Sequence, residues 1–492
     1  MKYLLGIDFG GGASKATLID TTGKILAEHT VEYPTYYPEA GACEQKPQDW
    51  IAALCEGCKA LLTKSGIQNS DILAVAVDSA THTFLLCDET GTALMDAIHW
   101  TDLRSRKQAD ALFAAHGQEI FEKTYHKPST IWTLPQLLWL KEHHGEIFSH
   151  AKFLFFEKDY IRYFLTGVYC TDYIEAEGSM FFDCNKLAWD ETLCRMAGLP
   201  AEILPPIVKP TDVVGAVTKT AAELTGLCEG TKVICGTTDT AMEVFAAGAV
   251  KPGDMTVKLA TAGRICVITD RAYPDKHLVN YSHIAPGLWY PGTATKAAAS
   301  SYRWYRDTFG ETYDQLNEGA AQIAPGAEGL LFHPYLKGEL TPFGDPSLRG
   351  SFMGVGAQHT KAHFTRAVLE GVSFSLLDCK KYLDSLQIPY CTDGATLIGG
   401  GGKGTLWSQI TADVLGIPLR ITENSDSSLG SAMLAGIACG VFADAEEAAK
   451  ICIKEKRWVQ PDPARHETYG EIFTRYQAVQ RALAPLYNEW NK

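Results

Sequence analysis

The sequence predicts an α/β protein made of two domains with related architecture. The chain has 492 residues, more than one ordinary hydrophobic core accommodates. Near its start, GIDFGGGASKATLID reads as a strand, a turn of small residues and a second strand, and VKLATAGRICVITD repeats this order near the middle. Two copies of one strand–turn–strand unit indicate two halves of similar fold. We expect the chain to divide into residues 1–248 and 249–492, connected through the segment VKPGD.

The N-terminal half begins with three short strands connected by tight turns. YLLGIDFG, SKATLID and KILAEHTVEY read as strands, and the turn TTGK separates the last two. Connections this short favour antiparallel neighbours. A helix follows in PQDWIAALCEGCKALLTKSG, with Pro47 near its first turn and Gly66 at its end. DILAVAVDSA, rich in Val and Ala, then predicts a buried strand.

A strand, a polar turn and a helix are predicted close to the domain boundary, in TKVICGTTDTAMEVFAAGAV. The turn contains Asp239. An Asp at such a position is often the N-cap of the helix, where its side chain accepts a backbone N–H bond. The residues alone therefore leave a structural role for Asp239 open.

The composition disfavours a nucleic-acid-binding protein and a membrane-spanning protein. Acidic residues outnumber basic ones by 58 to 44, and the net charge of -14 is unsuited to a nucleic-acid surface, which requires a basic stripe. No run of about 18 apolar residues is present, so we expect no membrane span. The apolar run after Lys2 stops at Asp8, which is too short for a secretory signal. The expected location is the cytoplasm.

The glycine-rich turn Gly10–Gly12 has the composition of an anion-binding loop. Glycines let backbone N–H groups approach a ligand, and successive N–H groups form a concave anion site. Asp8, just before the turn, cannot hold a phosphate, but it can hold Mg2+, which binds through one or two carboxylates together with phosphate oxygens and water. Lys15 adds a positive charge nearby. Taken singly, such a turn is more often an ordinary tight hairpin.

Four turns of small residues follow strand-like runs, and together they indicate a nucleotide site. These turns are Gly10–Gly12, Thr237–Asp239, Ala260–Gly263 and Gly399–Gly402. Two actin-like halves place turns of this kind around a nucleotide. The first glycine turn does not fit G-x-G-x-x-G, because Lys15 stands at the last position, and the chain contains no G-x-x-x-x-G-K-[ST]. An oxidoreductase with a dinucleotide site is therefore disfavoured.

Several motifs in a consistent order identify the chain as similar to the FGGY family of carbohydrate kinases. The longest is GSFMGVGAQHTKAHFTRAVLEGV, Gly350–Val372, which resembles the C-terminal signature of the family. YLKGELTPFGDP, LIGGGGKGTLWSQITADVLG and EKDYIRYFLTG resemble its YLxGExTP segment, its adenine-site strand and helix, and its KDYLRxxLTG helix. The resemblance implies two actin-like (ribonuclease H-like) domains that flank a cleft for ATP and sugar. Residues 1–248 would carry the sugar site and the first phosphate loop, and residues 249–492 would bind ATP.

The resemblance also implies a catalytic base and a set of sugar contacts. The family carries an Asp in a G-x-x-D-[NT]-A turn, which corresponds to Asp239 in CGTTDTA. This carboxylate would accept the proton of a sugar hydroxyl while the hydroxyl oxygen attacks the γ-phosphate. ATHT and WTDLRS resemble family segments and imply sugar contacts from His82, Trp100 and Asp102, in addition to Asp239. A hydrogen-bonded histidine at a strand end is the alternative interpretation of His82.

ATP and Mg2+ are the cofactors that the resemblance implies, with Asp8 as the metal ligand. The residues expected to contact ATP are Gly11, Gly12, Lys15, Thr261, Gly400, Gly401 and Thr405. The first phosphate loop of the family usually reads D-x-G-T-[ST]. Gly11 and Gly12 replace the hydroxyl residues of that pattern, so backbone N–H groups or Ser14 would have to take over their contacts.

The activity implied is ATP-dependent phosphorylation of a sugar hydroxyl. D-xylulose is the first substrate expected, and D-gluconate, L-ribulose, glycerol and other polyols stay open because a fold does not determine a substrate. A small-molecule sugar and ATP are the expected partners, and the family commonly forms homodimers. An actin-like ATPase of the chaperone or filament type is the alternative from a different class, since it would share the phosphate loops but lack a sugar pocket.

Overall fold

The structure is a computed structural model that describes residues 1–490. Its strands, in chain order, are β1 (Tyr3–Phe9), β2 (Ala13–Asp20), β3 (Ile25–Glu32), β4 (Glu44–Gln45), β5 (Ile72–Ser79), β6 (Phe84–Cys87), β7 (Ala97–Ile98), β8 (Phe153–Phe156), β9 (Thr171–Asp172), β10 (Phe182–Asp183), β11 (Ala188–Trp189), β12 (Ile207–Val208), β13 (Val213–Ala216), β14 (Lys232–Ile234), β15 (Met255–Leu259), β16 (Gly263–Val267), β17 (Leu331–His333), β18 (Ser351–Met353), β19 (Ala395–Ile398), β20 (Leu419–Thr422) and β21 (Glu455–Val459).

The α-helices connect and cover these strands. In chain order they are α1 (Pro47–Ser65), α2 (Arg106–Thr124), α3 (Thr133–His143), α4 (Gly145–His150), α5 (Glu157–Thr166), α6 (Tyr173–Glu177), α7 (Glu191–Ala197), α8 (Lys219–Thr225), α9 (Asp239–Ala246), α10 (Ala299–Phe309), α11 (Tyr313–Ala321), α12 (Lys361–Ser385), α13 (Thr405–Leu415), α14 (Ser427–Ala438), α15 (Ala445–Cys452) and α16 (Pro463–Trp490). Within residues 1–490, no helix combines the length and the apolar character needed to cross a membrane.

The chain forms two compact units. The first unit comprises Met1–Val250, Tyr281–Gly287 and Asn424–Ile453. The second unit comprises Lys251–Asn280, Leu288–Glu423 and the described residues from Lys454 onward. Two segments from the C-terminal half of the sequence therefore belong to the first unit.

The first unit is built on a six-stranded sheet with the order β13-β14-β5-β1-β2-β3. The three N-terminal strands are antiparallel to their neighbours in the chain, as their short connections predict. β5 pairs with β1 in parallel, and β14 pairs with β5 in parallel. β13 pairs with β14 in antiparallel orientation at the edge of the sheet. A second sheet of this unit has the order β4-β7-β6-β8.

Both faces of strand β1 are covered, which explains its continuous apolar run. Leu4, Leu5 and Phe9 are completely buried. α14 packs against β1 and β5 at very short range. A Cβ atom on Gly6 would lie 1.9 Å from the carbonyl oxygen of Ser428, so only glycine at this position lets the helix approach the strand so closely.

The sequence signals for helix α1 are confirmed. The helix begins at Pro47 and ends before Gly66, whose φ of 67° lies in the left-handed region. The N–H of Gly66 donates to the carbonyl of Leu62 and so closes the last turn. Trp50 and Cys58 lie on the buried face of the helix.

The second unit repeats the strand arrangement of the first. Its five-stranded sheet has the order β16-β15-β19-β20-β21. β15 is antiparallel to β16 and parallel to β19, β20 continues the parallel part, and β21 closes it antiparallel. The order β2-β1-β5-β14-β13 of the first unit has the same strand directions. The predicted α/β class with two related, ribonuclease H-like domains is therefore confirmed.

Candidate functional site

Two aspartates lie side by side at the end of neighbouring strands in the first unit. The parallel register of β1 and β5 pairs Asp8 with Asp78. Asp78 is completely buried, and Ser431 of α14 donates a hydrogen bond of 2.5 Å to its Oδ2 atom. Within residues 1–490, Oδ1 of Asp78 has no hydrogen-bond partner. The site therefore contains a buried carboxyl oxygen without a hydrogen bond from the described residues.

Negative charge accumulates around these two carboxyl groups. Burial and the negative charges of Asp239 and Asp426 together raise the pKa of Asp8 to about 6, although a hydrogen bond from Ser427 opposes the shift. Burial and the charge of Asp8 hold the pKa of Asp78 well above its usual range. Unbalanced carboxylates of this kind attract a cation, because a nearby positive charge favours their ionised form.

Asp239 is the first residue of α9, but it does not cap this helix. The cap is Thr238, whose side chain accepts a hydrogen bond from the N–H of Ala241. Oδ1 of Asp239 accepts hydrogen bonds from the hydroxyl of Thr81 (3.0 Å) and from the N–H of Thr240 (2.6 Å). Its Oδ2 atom accepts no hydrogen bond from the described part of the chain. The carboxylate is thus anchored through one oxygen and open at the other.

The loop Gly10–Gly12 turns its carbonyl groups inward. The carbonyl oxygens of Gly10 and Gly11 accept hydrogen bonds of 2.5 Å from the hydroxyls of Tyr33 and Thr35, and that of Gly12 accepts a bond of 3.0 Å from the N–H of Tyr33. The N–H groups of Gly11 and Gly12 find no acceptor within residues 1–490. Free amides in a glycine turn are the donors that an anion-binding loop requires.

Lys15 is engaged in ion pairs within the first unit. Its ammonium group lies 2.8 Å from Glu28 and also contacts Asp426, the residue that precedes α14. Burial alone would lower the pKa of Lys15, but these two carboxylates outweigh burial and raise it. The predicted contact between Lys15 and ATP stays a prediction.

His82 is buried in an aromatic environment. Its Nε2 atom lies 2.7 Å from the hydroxyl of Tyr281, and its ring centroid lies 4.9 Å from that of Trp132. Its φ of 69° is in the left-handed region, and its N–H donates a hydrogen bond of 2.8 Å to Glu175. A Cβ atom on Gly178 would overlap the His82 ring, so the glycine makes room for it. The predicted sugar contact is not tested by these bonds.

Trp100 and Asp102 lie close together in the chain but in different environments. The side chain of Trp100 is 40% exposed, so its ring is available to a ligand. Asp102 is buried and accepts hydrogen bonds from the N–H of Cys43 (2.8 Å) and from the backbone and side chain of Arg104. Asp102 thereby holds the segment that carries Trp100, and its own contact with a sugar stays a prediction.

Four residues predicted to bind ATP line one cavity of the second unit. Thr261 lies between β15 and β16, and Gly400, Gly401 and Thr405 lie between β19 and α13. All four border a cavity of about 760 Å³. Gly399 introduces this segment with a φ of 90°, and a Cβ atom there would lie 2.6 Å from the carbonyl oxygen of Leu259. The glycine therefore lets β19 pass directly next to the end of β15.

Aromatic side chains complete this cavity, and the sequence analysis did not single them out. Tyr302, Tyr313 and Trp407 line it, and the ring centroids of Tyr302 and Trp407 are 5.5 Å apart. The hydroxyl of Tyr302 donates a hydrogen bond of 2.8 Å to Asn317. Such flat apolar walls with a few polar groups suit a planar ring system. Tyr302 and Tyr313 are distant in sequence from Trp407, which lies in the predicted adenine-site segment, and no single motif connects the three.

Asp78 and helix α14 are further site residues that sequence reasoning missed. A usable signal was present, because Asp8 and Asp78 both stand near the end of a predicted strand. Ser427 and Ser431 are four residues apart and therefore lie on one face of α14. That face contacts the two aspartates. Only the packing of α14 on β1 and β5 brings these groups together.

A divalent metal fits the carboxylates of the first unit. Within residues 1–490, no group of three or more His, Cys, Asp or Glu side chains has the arrangement of a complete metal site. Mg2+ does not require such a group, since it usually binds through one or two carboxylates and takes its other ligands from water and phosphate. Asp8 and the free Oδ1 of Asp78 supply hard oxygen donors of this type.

The fold and the two loops define an actin-like phosphotransferase. Each unit has the ribonuclease H-like sheet, and each carries a loop of small residues between two antiparallel strands. The sequence model described as "FGGY family of carbohydrate kinases, N-terminal domain" matches residues 3–246, and that of the C-terminal domain matches residues 232–439.

Similar proteins cover nearly the whole chain. The xylulose kinase of Bacillus subtilis (strain 168) is 34% identical over 484 residues, which are 97% of each chain. The gluconokinase of the same organism is 30% identical over 506 residues, covering 99% of this chain and 97% of that one. The crystal structure of ligand bound xylulose kinase from Lactobacillus acidophilus has a TM-score of 0.92 at 27% identity and covers 100% of both chains. The chain belongs to the FGGY family of carbohydrate kinases and is an ATP-dependent sugar kinase.

Proposed function

We propose that this kinase transfers the γ-phosphoryl group of ATP to a hydroxyl of D-xylulose, giving D-xylulose 5-phosphate, with Asp239 as the general base. The observation that carries the proposal is the geometry of Asp239. Its Oδ1 atom is held by Thr81 and Thr240, while Oδ2 accepts no hydrogen bond within residues 1–490. A fixed carboxylate with one open oxygen is suited to accept a proton from an alcohol.

The base acts on the attacking oxygen. In phosphoryl transfer the protein mainly positions the reactants and neutralises charge. Asp239 removes the proton from the sugar hydroxyl as the oxygen approaches the γ-phosphorus atom, and a positioned carboxylate of this kind contributes about 10²–10⁴ in rate. Thr81 and Thr240 restrict the rotation of the carboxylate, so its open oxygen keeps one direction.

In this proposal each unit carries its own set of predicted nucleotide contacts. The free N–H groups of Gly11 and Gly12 donate to phosphate oxygens, and Lys15 adds positive charge near this loop. In the second unit the nucleoside occupies the cavity lined by its aromatic residues and by Thr261, Gly400, Gly401 and Thr405. At Gly11 and Gly12 the backbone N–H groups are the groups available to a phosphate, since the carbonyl groups are already bonded to Thr35 and Tyr33.

Asp8 and Asp78 would hold Mg2+ together with phosphate oxygens. When bound, the ion offsets the negative charge of the phosphates. Burial and neighbouring carboxylates raise the pKa of both aspartates, and a bound cation would favour their ionised form. Oδ1 of Asp78 makes no hydrogen bond within residues 1–490 and would be one of the metal ligands.

D-xylulose is proposed because the xylulose kinase of Bacillus subtilis is 34% identical to this chain. D-gluconate is the second candidate, since a gluconokinase is 30% identical over a similar length. On the sugar side, the exposed ring of Trp100 would pack against the carbon chain, and Asp239 would bind the reacting hydroxyl. His82, Asp102 and the formation of a homodimer stay predictions.

A substrate panel tests this proposal. ADP release is measured with ATP and Mg2+ in the presence of D-xylulose, D-gluconate, L-ribulose or glycerol. We expect the highest kcat/KM with D-xylulose. A higher value with D-gluconate would replace the proposed substrate by the second candidate, and ADP release that no sugar accelerates would contradict both.

The base is tested with Asp239→Asn. This variant is expected to lose about 10²–10⁴ in kcat while the KM for ATP changes little, because the amide cannot accept the proton. Asp88→Asn is the matched control, since Asp88 accepts hydrogen bonds in a surface turn. Full turnover of Asp239→Asn would show that another group is the base.

A further inference from the structure

The short helix α6 carries three buried carboxylates in and next to it. Asp172 caps the helix, and Glu175 and Glu177 lie within it; all three are completely buried. Each of them binds a different segment of the first unit. Buried carboxylates are costly unless they are paired or hydrogen-bonded. These carboxylates therefore hold in place the groups that donate hydrogen bonds to them.

Asp172 connects this helix to the turn that carries Asp239. Its Oδ1 atom accepts hydrogen bonds from the N–H of Ile174 (2.9 Å) and from the hydroxyl of Thr237 (2.8 Å). Thr237 is completely buried and stands two residues before Asp239. The side chain of Thr237 therefore links the N-terminus of α6 to the turn that carries Asp239.

Lys158 holds Asp172 from the other side. Its ammonium group lies 2.9 Å from Oδ2 of Asp172 and 2.5 Å from Asp159, and all three side chains are completely buried. Burial would lower the pKa of Lys158, but the two aspartates outweigh it and raise the pKa, so the ammonium stays charged. Arg162 adds a second cation at 2.8 Å from Asp159. Asp172 is therefore paired with a buried cation and is not an isolated buried charge.

Glu175 extends the same element to His82. Its Oε1 atom accepts the N–H of His82 at 2.8 Å. His82 has a φ of 69°, which is uncommon for a residue with a Cβ atom. His82 directly follows Thr81, whose hydroxyl binds Oδ1 of Asp239. The helix therefore supports Asp239 by two routes, one through Thr237 and the other through the Thr81–His82 segment.

We infer that Asp172 and Thr237 are positioning residues, which set the direction of the Asp239 carboxylate from behind the turn. This inference rests on the proposed role of Asp239 as the base. The hydroxyl of Thr237 is completely buried and donates to Asp172, so it acts through the turn. A displacement of a reacting group by about 1 Å can cost about 10²-fold in rate, so the loss of this hydrogen bond should reduce kcat.

The test removes one hydroxyl and keeps the shape of the side chain. We expect Thr237→Val to lower kcat about 10- to 100-fold, with the KM for ATP within about twofold of the original value. Thr237→Ser retains the hydroxyl and should restore most of the turnover. Thr225→Val is the matched control, because Thr225 is also buried in the first unit but bonds only within and next to α8. It should leave kcat unchanged.

Thermal unfolding of each variant separates a loss of position from a loss of fold. If Thr237→Val does not give folded protein, Thr237→Cys replaces the hydroxyl by a weaker donor of similar size, and kcat should then fall in the order Thr, Ser, Cys. Unchanged kcat in Thr237→Val, or in Thr237→Cys where that variant is used, overturns the inference. A kcat of Thr237→Ser as low as that of Thr237→Val also overturns the inference, since the hydroxyl would then not be the feature that matters.

The outcome is distinguishable from a failure of the proposed function. If Asp239→Asn loses turnover and Thr237→Val keeps it, Asp239 is still supported as the base and only the positioning role of Thr237 is rejected. Asp239→Asn that keeps turnover removes the base itself and with it the target that Asp172 and Thr237 would position.

Discussion

The hairpins β1–β2 and β15–β16 share a backbone design but differ in their side chains. Each first strand is antiparallel to the second and parallel to a third strand, β5 in one case and β19 in the other. In each loop, carbonyl oxygens accept hydrogen bonds from other segments of the same unit. In the second loop, Ala260 accepts from Ala299 at 2.7 Å and Thr261 accepts from Ala298 at 3.1 Å. The N–H groups of Thr261 and Ala262, like those of Gly11 and Gly12, have no acceptor within residues 1–490.

The two hairpins differ at the next-to-last residue of β1 and of β15. In the first hairpin, Asp8 is paired across the parallel register with Asp78. In the second, Lys258 occupies the corresponding position and is paired with Ile398. One loop therefore has two adjacent carboxylates next to its free amides, and the other has none. The same backbone thus offers a metal-compatible site in one unit and, with its aromatic cavity, a nucleoside-compatible site in the other.

This contrast predicts the largest effect for Asp8→Asn. A bound cation supplies several kcal/mol of charge stabilisation, and each 1.36 kcal/mol changes the rate about tenfold, so kcat/KM should fall about 10²-fold or more. The Mg2+ concentration needed for half-maximal rate should rise. The melting temperature should not fall, because the variant removes a charge that repels Asp78.

Lys258→Gln is the matched control for Asp8→Asn, since it changes the equivalent position of the second hairpin. It should leave the Mg2+ dependence unaltered. An equal shift in the Mg2+ dependence of both variants would mean that the two hairpins do not differ in the way proposed.

A smaller effect is expected for Gly399→Ala in the second unit. The φ of Gly399 is 90°, and an added Cβ atom would lie 2.6 Å from the carbonyl oxygen of Leu259. Strain of this kind costs about 1–3 kcal/mol of the free energy of unfolding. Gly400→Ala is a close control, because a Cβ atom on Gly400 meets nothing within 4 Å. Differential scanning fluorimetry with and without ATP should separate the two; identical melting temperatures would speak against the close contact of β19 with β15.

The smallest effect concerns the buried histidines, which are more numerous in the first unit. His99, His126 and His283 belong to the first unit and His333 to the second, and burial lowers the pKa of each. For His126 the value falls from 6.5 to about 3, so the folded state keeps this imidazole neutral. Above pH 6.5 its stabilisation is fully present; below pH 6.5 the unfolded chain binds a proton that the folded chain does not.

His126→Gln tests this acid sensitivity. The free energy of unfolding of the unmodified chain should fall, relative to the variant, by about 1.4 kcal/mol per pH unit below pH 6.5, which is about 2 kcal/mol between pH 7 and pH 5. Urea unfolding at the two pH values measures the difference. Parallel pH profiles for both proteins would mean that His126 binds its proton equally in the folded and unfolded states.

Most of the fold could be predicted because its signals are local. The meander β1–β2–β3 follows from short turns, α1 from Pro47 and Gly66, and the duplicated architecture from two similar strand–turn–strand patterns. The site was only partly predictable. Asp239 and the ATP-cavity residues stand in recognisable turns, whereas Tyr302, Tyr313 and Trp407 come together only by packing.

Asp8 and Asp78 illustrate the same limit. Each aspartate is visible at a strand end, yet their contact depends on the parallel register of two strands separated by α1. Parallel strands need a long crossover connection, so no local sequence pattern sets which residues become neighbours. Likewise, Ser431 reaches Asp78 only because α14 returns from the C-terminal half of the chain to the first unit.

The sequence by itself determined the turns, the strand and helix types and the family, because these depend on residues that are close in the chain. The tertiary structure decided which carboxylates share charge, which oxygen of Asp239 stays open and how Thr237 is bonded to Asp172. Those properties arise from distances of a few Å between groups that are far apart in sequence, and such distances exist only after the units have packed.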